Sequence, residues 1–158
     1  MNGSEIRSAF TKAFAQRRDD RFSHLGERMV TAGCETRTVP ADYRLDGLKR
    51  GENRNSPRIT FQATLSGWGI FERGGQSWKV EPGSAFFAVM PSRHRYELPE
   101  ESAEWTFFWF HIGHPYIVQR IMALAKRHPP VFELKGGAGF LHQNLALFER
   151  ILSSTFRG

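Results

Sequence analysis

The middle of the chain, residues 36–112, is a succession of short extended segments separated by glycine and proline. The clearest is RITFQATL, residues 58–65, in which polar and apolar residues alternate strictly. Successive side chains of a strand point to opposite faces of a sheet, so this alternation predicts a strand with one apolar and one polar face. Strands of five to eight residues with turns every 8–12 residues are typical of a β-sandwich or barrel. No helical period interrupts them, which argues against a parallel α/β sheet.

Glycine and proline pairs mark the turns of this β region. Gly74-Gly75 separate GWGIFER from QSWKV, which predicts a β-hairpin, and Pro82-Gly83 precede the apolar segment SAFFAVM. The last segment, EWTFFWFHI, is apolar on both faces. We therefore expect this strand to be covered by the barrel interior on one side and by helices on the other. Its two faces carry Trp105, Phe107, Trp109 and His111, and Thr106, Phe108, Phe110 and Ile112.

Helices are predicted on either side of the β region. Residues 4–18 and 21–31 have apolar positions at helical spacing, and so do residues 115–128 and the segment from 140 onward. The expected organisation is an N-terminal helical arm over 1–35, a barrel over 36–113 and C-terminal helices over 114–158. The last helix either packs on its own barrel or pairs with a second copy of the chain. Its apolar stripe, on which dimerisation would depend, comprises Leu141, Leu145, Phe148 and Leu152.

Composition limits the class of protein. The chain has 158 residues, enough for one domain with a real core, and its 14 Phe and 4 Trp indicate an interior rich in rings. No segment is apolar for long enough to span a membrane, and the N-terminus lacks the apolar run of a secretory signal. The single cysteine, Cys34, excludes an internal disulfide framework and fits a cytoplasmic location. The net charge of +6 is weighted toward the N-terminal third and is non-specific evidence for a polyanionic partner.

Few residues in the sequence suit catalysis or metal binding. The six histidines include no His-x-His pair, and strand 58–65 carries Arg58, Thr60 and Gln62, which are poor metal ligands. Cys34 has no neighbouring histidine in sequence, and no Gly-x-Ser-x-Gly nucleophile motif is present. We therefore expect no cofactor, no metal and no enzymatic activity. Rings that line a barrel suit a small molecule held by stacking and a few polar contacts.

The stretch from Thr64 to Pro115 resembles the effector-sensing domain of AraC/XylS-type transcription regulators. Such domains show a Gly-x-Gly strand end, a Gly-containing hairpin, a Pro-Gly turn, a segment with His and Tyr after a proline, and a Trp-rich strand that leads to helices. The residues that carry the resemblance are Gly67, Gly69, Gly74, Gly75, Pro82, Gly83, Pro91, His94, Tyr96, Trp105 and Trp109.

The resemblance implies a fold, partners and a site. The fold would be a mainly β, cupin-like jelly-roll (double-stranded β-helix) barrel with flanking helices, without a metal. The partners would be a small-molecule effector, a sugar or an aromatic or organic acid, and a second copy of the chain in a homodimer. The ligand-binding residues would be Tyr96, Phe107 and Trp109, with an arginine before or at the first barrel strand, Arg58 or Arg54. Gln62 is a further candidate for ligand binding, named apart from the resemblance.

One part of such a regulator has no counterpart in the sequence. The helix-turn-helix domain that would bind DNA is missing, and we expect DNA contact only through it, so this chain is either a fragment of a longer regulator or a free-standing sensor. Two other functions stay open: a metal-dependent cupin enzyme, either an isomerase or a dioxygenase, with ligands at His94 and His111, and a purely structural dimerisation module. A bound metal would favour the enzyme, and an interior filled by side chains would favour the module.

Overall fold

Two antiparallel sheets form the body of the molecule. The computed structural model describes Glu5, Ser8, Ala9 and Lys12, and residues 30–50, 57–135, 139–140 and 142–146. The strands are β1 (Val30–Arg37), β2 (Arg44–Asp46), β3 (Arg58–Gly67), β4 (Gly69–Arg73), β5 (Gln76–Val80), β6 (Ser84–Met90), β7 (Arg95–Glu97), β8 (Trp105–Ile112) and β9 (Val131–Glu133). A 3-10 turn covers Pro40–Asp42, and helix α1 covers Pro115–Ala125. One sheet has the strand order β1-β8-β3-β6-β9 and the other β2-β7-β4-β5. The predicted mainly β, jelly-roll class is confirmed.

Strand β8 is covered on both faces, as its sequence predicts. Trp105 and Phe107 are buried in a cluster that fills the space between the two sheets, with Phe71 and Tyr96 from the opposite sheet. Phe108 belongs to a second cluster on the outer face of the five-stranded sheet. Burial of large rings on both faces gives this strand most of its stabilisation, because transfer of apolar surface out of water is the main favourable contribution to folding.

Strand β3 directs its polar face into the barrel. Phe61, Ala63 and Leu65 lie in the outer cluster, whereas Gln62 lies between the sheets, where it is 1% exposed. Strictly alternating strands usually turn their apolar side toward the interior, but here the apolar side is covered by helices. The barrel interior therefore receives hydrogen-bonding side chains from its central strand.

The helical segments cover the outer face of the five-stranded sheet. Leu145 is buried in the outer cluster, and Ala9 and Phe140 pack against the same cluster. Of the predicted dimerisation stripe, Leu145 thus packs on its own chain. The other three members, Leu141, Phe148 and Leu152, lie outside the described residues.

The sheets extend beyond the predicted boundaries of the barrel. Strand β1 begins at Val30, within the range assigned from sequence to a helix over 21–31 and to an arm over 1–35. Strand β9 follows α1 and pairs with β6, in the range assigned to helices alone. Pairing with β8 along the whole length of β1 supplies main-chain partners that the local helical spacing cannot reveal. No helix among the described residues is long and apolar enough to cross a membrane.

The Gly-x-Gly segment between β3 and β4 lets the chain turn against β8. Gly67 has φ = 64°, a conformation that side-chain-bearing residues rarely adopt. A Cβ atom on Gly69 would stand 2.1 Å from the ring of Trp105, so only a glycine lets this buried indole lie against the strand. The motif seen in the sequence therefore serves the packing of Trp105.

Candidate ligand-binding site

A cavity of about 240 Å³ lies between the two sheets. Strands β1, β3 and β8 form one wall, and β2, β7 and the segments next to β2 form the other. The lining residues are Glu35, Arg37, Asp42, Tyr43, Leu45, Arg50, Thr60, Gln62, Tyr96, Trp109 and His111. The cluster around Trp105 and Phe107 fills the rest of the interior, so the hollow occupies only part of the barrel.

Two buried tyrosines bring polar groups to the inner part of this cavity. Their rings are 6.2 Å apart in an edge-to-face arrangement. The Tyr43 hydroxyl donates to Oε1 of Gln62 at 3.3 Å, and the Arg50 guanidinium donates to the Tyr96 hydroxyl. Burial raises the pKa of both phenols, well above the ordinary value for Tyr43, while Arg50 opposes the shift at each. Both hydroxyls therefore stay neutral near pH 7.

The amide of Gln62 is only half satisfied. Its oxygen accepts from Tyr43, but its nitrogen Nε2 is buried and has no hydrogen-bond partner. Buried polar groups in native proteins are nearly always paired, and each exception calls for an explanation. A ligand with an acceptor atom in the cavity would supply the missing partner.

Strand β1 forms the outer part of the wall. The Trp109 indole donates from Nε1 to Oε1 of Glu35 at 2.8 Å, and the Arg37 guanidinium pairs with the same carboxylate. Arg37 also lies over the ring of Tyr43, with 5.1 Å between its guanidinium carbon and the ring centroid. A Cβ on Gly33 would stand 2.6 Å from Cζ2 of Trp109, so the indole rests directly on the backbone of β1.

The two histidines of the β region have different surroundings. His111 lines the cavity, and its ring centroid is 4.4 Å from that of Trp109. Burial lowers its pKa to about 4, helped by Arg50 and Arg58 and opposed by Glu35.

His94 lies outside the cavity. It stacks on Phe71 and Tyr96, and a Cβ on Gly47 would stand 2.1 Å from its ring. Burial lowers its pKa to about 4 as well. The pair that a metal site would need thus does not converge on the cavity. Across the part of the chain that the structure describes, no group of three or more His, Cys, Asp or Glu side chains is placed to hold a metal ion.

Three of the five predicted ligand-binding residues meet in the cavity. Tyr96, Gln62 and Trp109 all line it. Phe107 is buried behind it, with its ring centroid 5.2 Å from that of Tyr43. Arg58 is exposed at the end of β3 and is not among the lining residues, and Arg54 lies outside the described residues.

Several lining residues were not identified from the sequence. Arg50 lines the cavity and was not named from the sequence, where the resemblance pointed to Arg58 or Arg54. Glu35 was assigned to the end of the arm over 1–35, and Arg37 lay at the start of the β region, where no strand had been delimited. The alternation in CETR, with Cys34 and Thr36 against Glu35 and Arg37, is the signal that would have placed these two charged residues on one face of a strand.

The family of the chain is shown by one comparison. Residues 40–157 match the family model described as the AraC-like ligand binding domain. No curated protein matches the chain.

Similar solved structures include an AraC-like transcriptional activator, ToxT and a cupin. The AraC-like transcriptional activator CuxR matches with a TM-score of 0.51 at 10% identity, over 93% of this chain and 56% of that chain. ToxT from Vibrio cholerae O395 matches with a TM-score of 0.42 at 11% identity, over 80% of this chain and 46% of that chain. A cupin protein from Bacteroides fragilis matches with a TM-score of 0.38 at 10% identity, over 54% and 65%. The chain thus spans about half the length of CuxR and of ToxT, and the likeness to CuxR supports the fold.

Proposed function

Because the chain belongs to the AraC-like ligand binding domain family, we propose that it is the effector-sensing domain of a transcription regulator and binds its effector in the cavity between the sheets. The observation that carries this proposal is the half-satisfied amide of Gln62, which is 1% exposed and faces a hollow of about 240 Å³. The proposal assigns binding and no catalytic step to the chain.

The proposed mechanism is a shift in population between two arrangements of the domain. An effector can favour one arrangement only by as much as it binds that arrangement more tightly. Glu35 and Arg37 carry the cavity wall onto β1, the edge strand that continues from the N-terminal residues. Contacts to the effector would therefore favour one position of strand β1 over another. A helix-turn-helix domain outside this chain would convert that bias into a change in DNA binding.

A homodimer belongs to the same proposal. Leu145 is used in the chain's own core, whereas Tyr116, Ile117 and Leu124 of α1 are exposed. We propose that α1 contributes to the contact between two copies. Sedimentation equilibrium should then show a dimer that Ile117→Glu weakens and that Gln119→Glu, a change at an exposed polar position of the same helix, leaves intact.

The test of effector binding is a thermal-shift screen of sugars, organic acids and aromatic compounds. A ligand at 100 times its Kd adds about 2.7 kcal/mol to the free energy of unfolding, which corresponds to a rise in Tm of about 5–11 °C in a chain of this length. Trp109→Ala should abolish that rise while the unliganded variant still unfolds cooperatively. Trp68→Ala is the matched control, because Trp68 is not among the cavity residues and lies over Lys79. An effector whose stabilisation survives the loss of both Tyr96 and Trp109 would show that the cavity is not its site.

A further inference from the structure

Resting on the proposed function, we propose that the effector is a small carboxylate of about the size of benzoate, with its anionic group held by Arg50 and Gln62 in the cavity. The chemistry of the cavity wall, its charge balance and its dimensions each lead to this class of molecule.

The inner part of the cavity offers hydrogen-bond donors in excess. Nε2 of Gln62 is a buried donor without a partner, and its orientation is fixed because Oε1 accepts from Tyr43. A neutral polyol brings a donor with every hydroxyl, whereas a carboxylate brings acceptors alone. Glu35, an acceptor in the outer part of the wall, is already engaged by Arg37 and by the Trp109 indole. The vacant hydrogen-bonding capacity therefore suits a ligand that accepts.

The charge balance favours an anion beside Arg50. The Arg50 guanidinium donates to the neutral hydroxyl of Tyr96, and no carboxylate among the described residues pairs with it. Glu35 and Arg37 neutralise each other, and Asp42 is exposed to solvent at the rim. Among the described residues the positive charge of Arg50 thus has no carboxylate partner, and hydrogen bonds from a guanidinium to a carboxylate are among the stronger ones in proteins.

The dimensions and walls of the cavity set the size and shape of the ligand. Its volume of about 240 Å³ exceeds the ~150 Å³ of a cavity that holds benzene and falls below the ~300 Å³ at which pockets for drug-sized molecules begin. Tyr43, Tyr96, Trp109 and His111 give it ring-lined walls, and His111 is neutral at pH 7 because burial lowers its pKa to about 4. A flat body carrying one carboxylate matches these limits.

The experiment compares benzoate with its uncharged counterparts, benzamide and benzyl alcohol, by calorimetric titration of the 158-residue chain at pH 7.5. Benzoate is expected to bind at least tenfold more tightly than either. The Trp109 indole resonance should shift in the NMR spectrum with each ligand that enters the cavity. Arg50→Gln should lower benzoate affinity at least tenfold and leave benzyl alcohol affinity within threefold, while Arg50→Lys should retain part of the preference.

The matched control is Arg93→Gln, which removes an exposed arginine outside the cavity and should leave benzoate affinity unchanged. Circular dichroism establishes that each variant is folded before titration. Equal affinity for benzoate and benzamide, or benzoate binding that Arg50→Gln leaves unchanged, would overturn the inference, and so would the absence of any indole shift with benzoate. If a sugar or another neutral compound shifts the Trp109 indole instead, the carboxylate class is wrong and effector sensing stands. If no compound in the broad screen does so, the proposed function fails with it.

Discussion

Replacement of Gln62 by leucine should separate binding from stability. The hydrogen bond from Tyr43 to Oε1 of Gln62 is long, at 3.3 Å, and Nε2 has no partner. Leucine removes an unmet buried donor, which relieves a cost of about 1–3 kcal/mol, but it leaves the buried Tyr43 hydroxyl without its acceptor, which costs about 1–3 kcal/mol. The two effects have opposite signs and similar size. The free energy of unfolding of Gln62→Leu should therefore lie within about 1 kcal/mol of the parent.

A second inward-facing residue of the same strand provides the contrast. The Thr64 hydroxyl accepts from Nε1 of Trp105 at 2.9 Å and donates to the carbonyl of Val80 at 3.1 Å. Thr64→Val keeps the shape and leaves both partners buried and unmet, at a cost of about 2–5 kcal/mol. At about 3 °C per kcal/mol, the expected fall in Tm is roughly 6–15 °C. Thr64→Ser keeps the hydroxyl and should lose much less.

Differential scanning calorimetry, with and without benzoate, measures both quantities in one series. Gln62→Leu is expected to unfold within about 3 °C of the parent and to lose the benzoate-induced rise in Tm. Such a change, neutral for stability and harmful to binding, is the usual signature of a functional residue. A loss of stability in Gln62→Leu as large as that in Thr64→Val would refute the reasoning, because Gln62 would then be a structural residue with satisfied partners.

Two further predictions concern acid sensitivity and packing. The pKa values of His94 and His111 are lowered to about 4 in the folded chain. The unfolded chain therefore binds more protons than the folded chain between about pH 6.5 and pH 4. The free energy of unfolding should be highest above pH 6.5 and should fall as the pH drops through this window. Urea unfolding at pH 7, 5.5 and 4.5 measures this loss of stability. His94→Gln should make the free energy of unfolding depend less on pH. A free energy of unfolding that does not change over the window would contradict the lowered histidine pKa values. Gly33→Ala should push the Trp109 indole off β1, because the new methyl group would stand 2.6 Å from the ring. The expected cost is about 1–3 kcal/mol with a changed indole fluorescence, and unchanged stability and fluorescence would contradict this packing.

The sequence predicted the fold more completely than the site. The two-faced apolar pattern of β8 and the glycine-marked turns depend on local periodicity, and the structure confirms both. Strand β1 was missed, because its local signal is only the short alternation in CETR and its pairing with β8 joins residues roughly 70–80 positions apart in the chain. A strand held by such distant partners need not have a strong local signal.

The residues of the site also differ in how well local periodicity predicts their position. Gln62 and Trp109 stand on regular strands whose faces can be read from alternation, and they pair directly across β3 and β8. Trp109 was named as a ligand-binding residue because the family resemblance implies it. Arg50 belongs to an irregular segment after β2, where no periodicity indicates the direction of a side chain. Phe107 shares a strand face with Trp109 but packs against Tyr43, and sequence does not tell how deep the packed core reaches along that face.

The glycines that lie against aromatic rings limit how this domain can diversify. At Gly33, Gly47 and Gly69 a single methyl group would collide with a ring. At Gly33 that ring is Trp109 of the cavity wall, so the width of the hollow depends there on a hydrogen atom in place of a side chain. Substitutions at these positions would disturb the packing of the rings before they changed which ligand binds. Different ligands are more readily accommodated by substitutions at Leu45 and Thr60, which line the cavity and are not glycines that pack against a ring. Proteins that evolve from this one could thus bind different ligands while the packing of the aromatic rings stays the same.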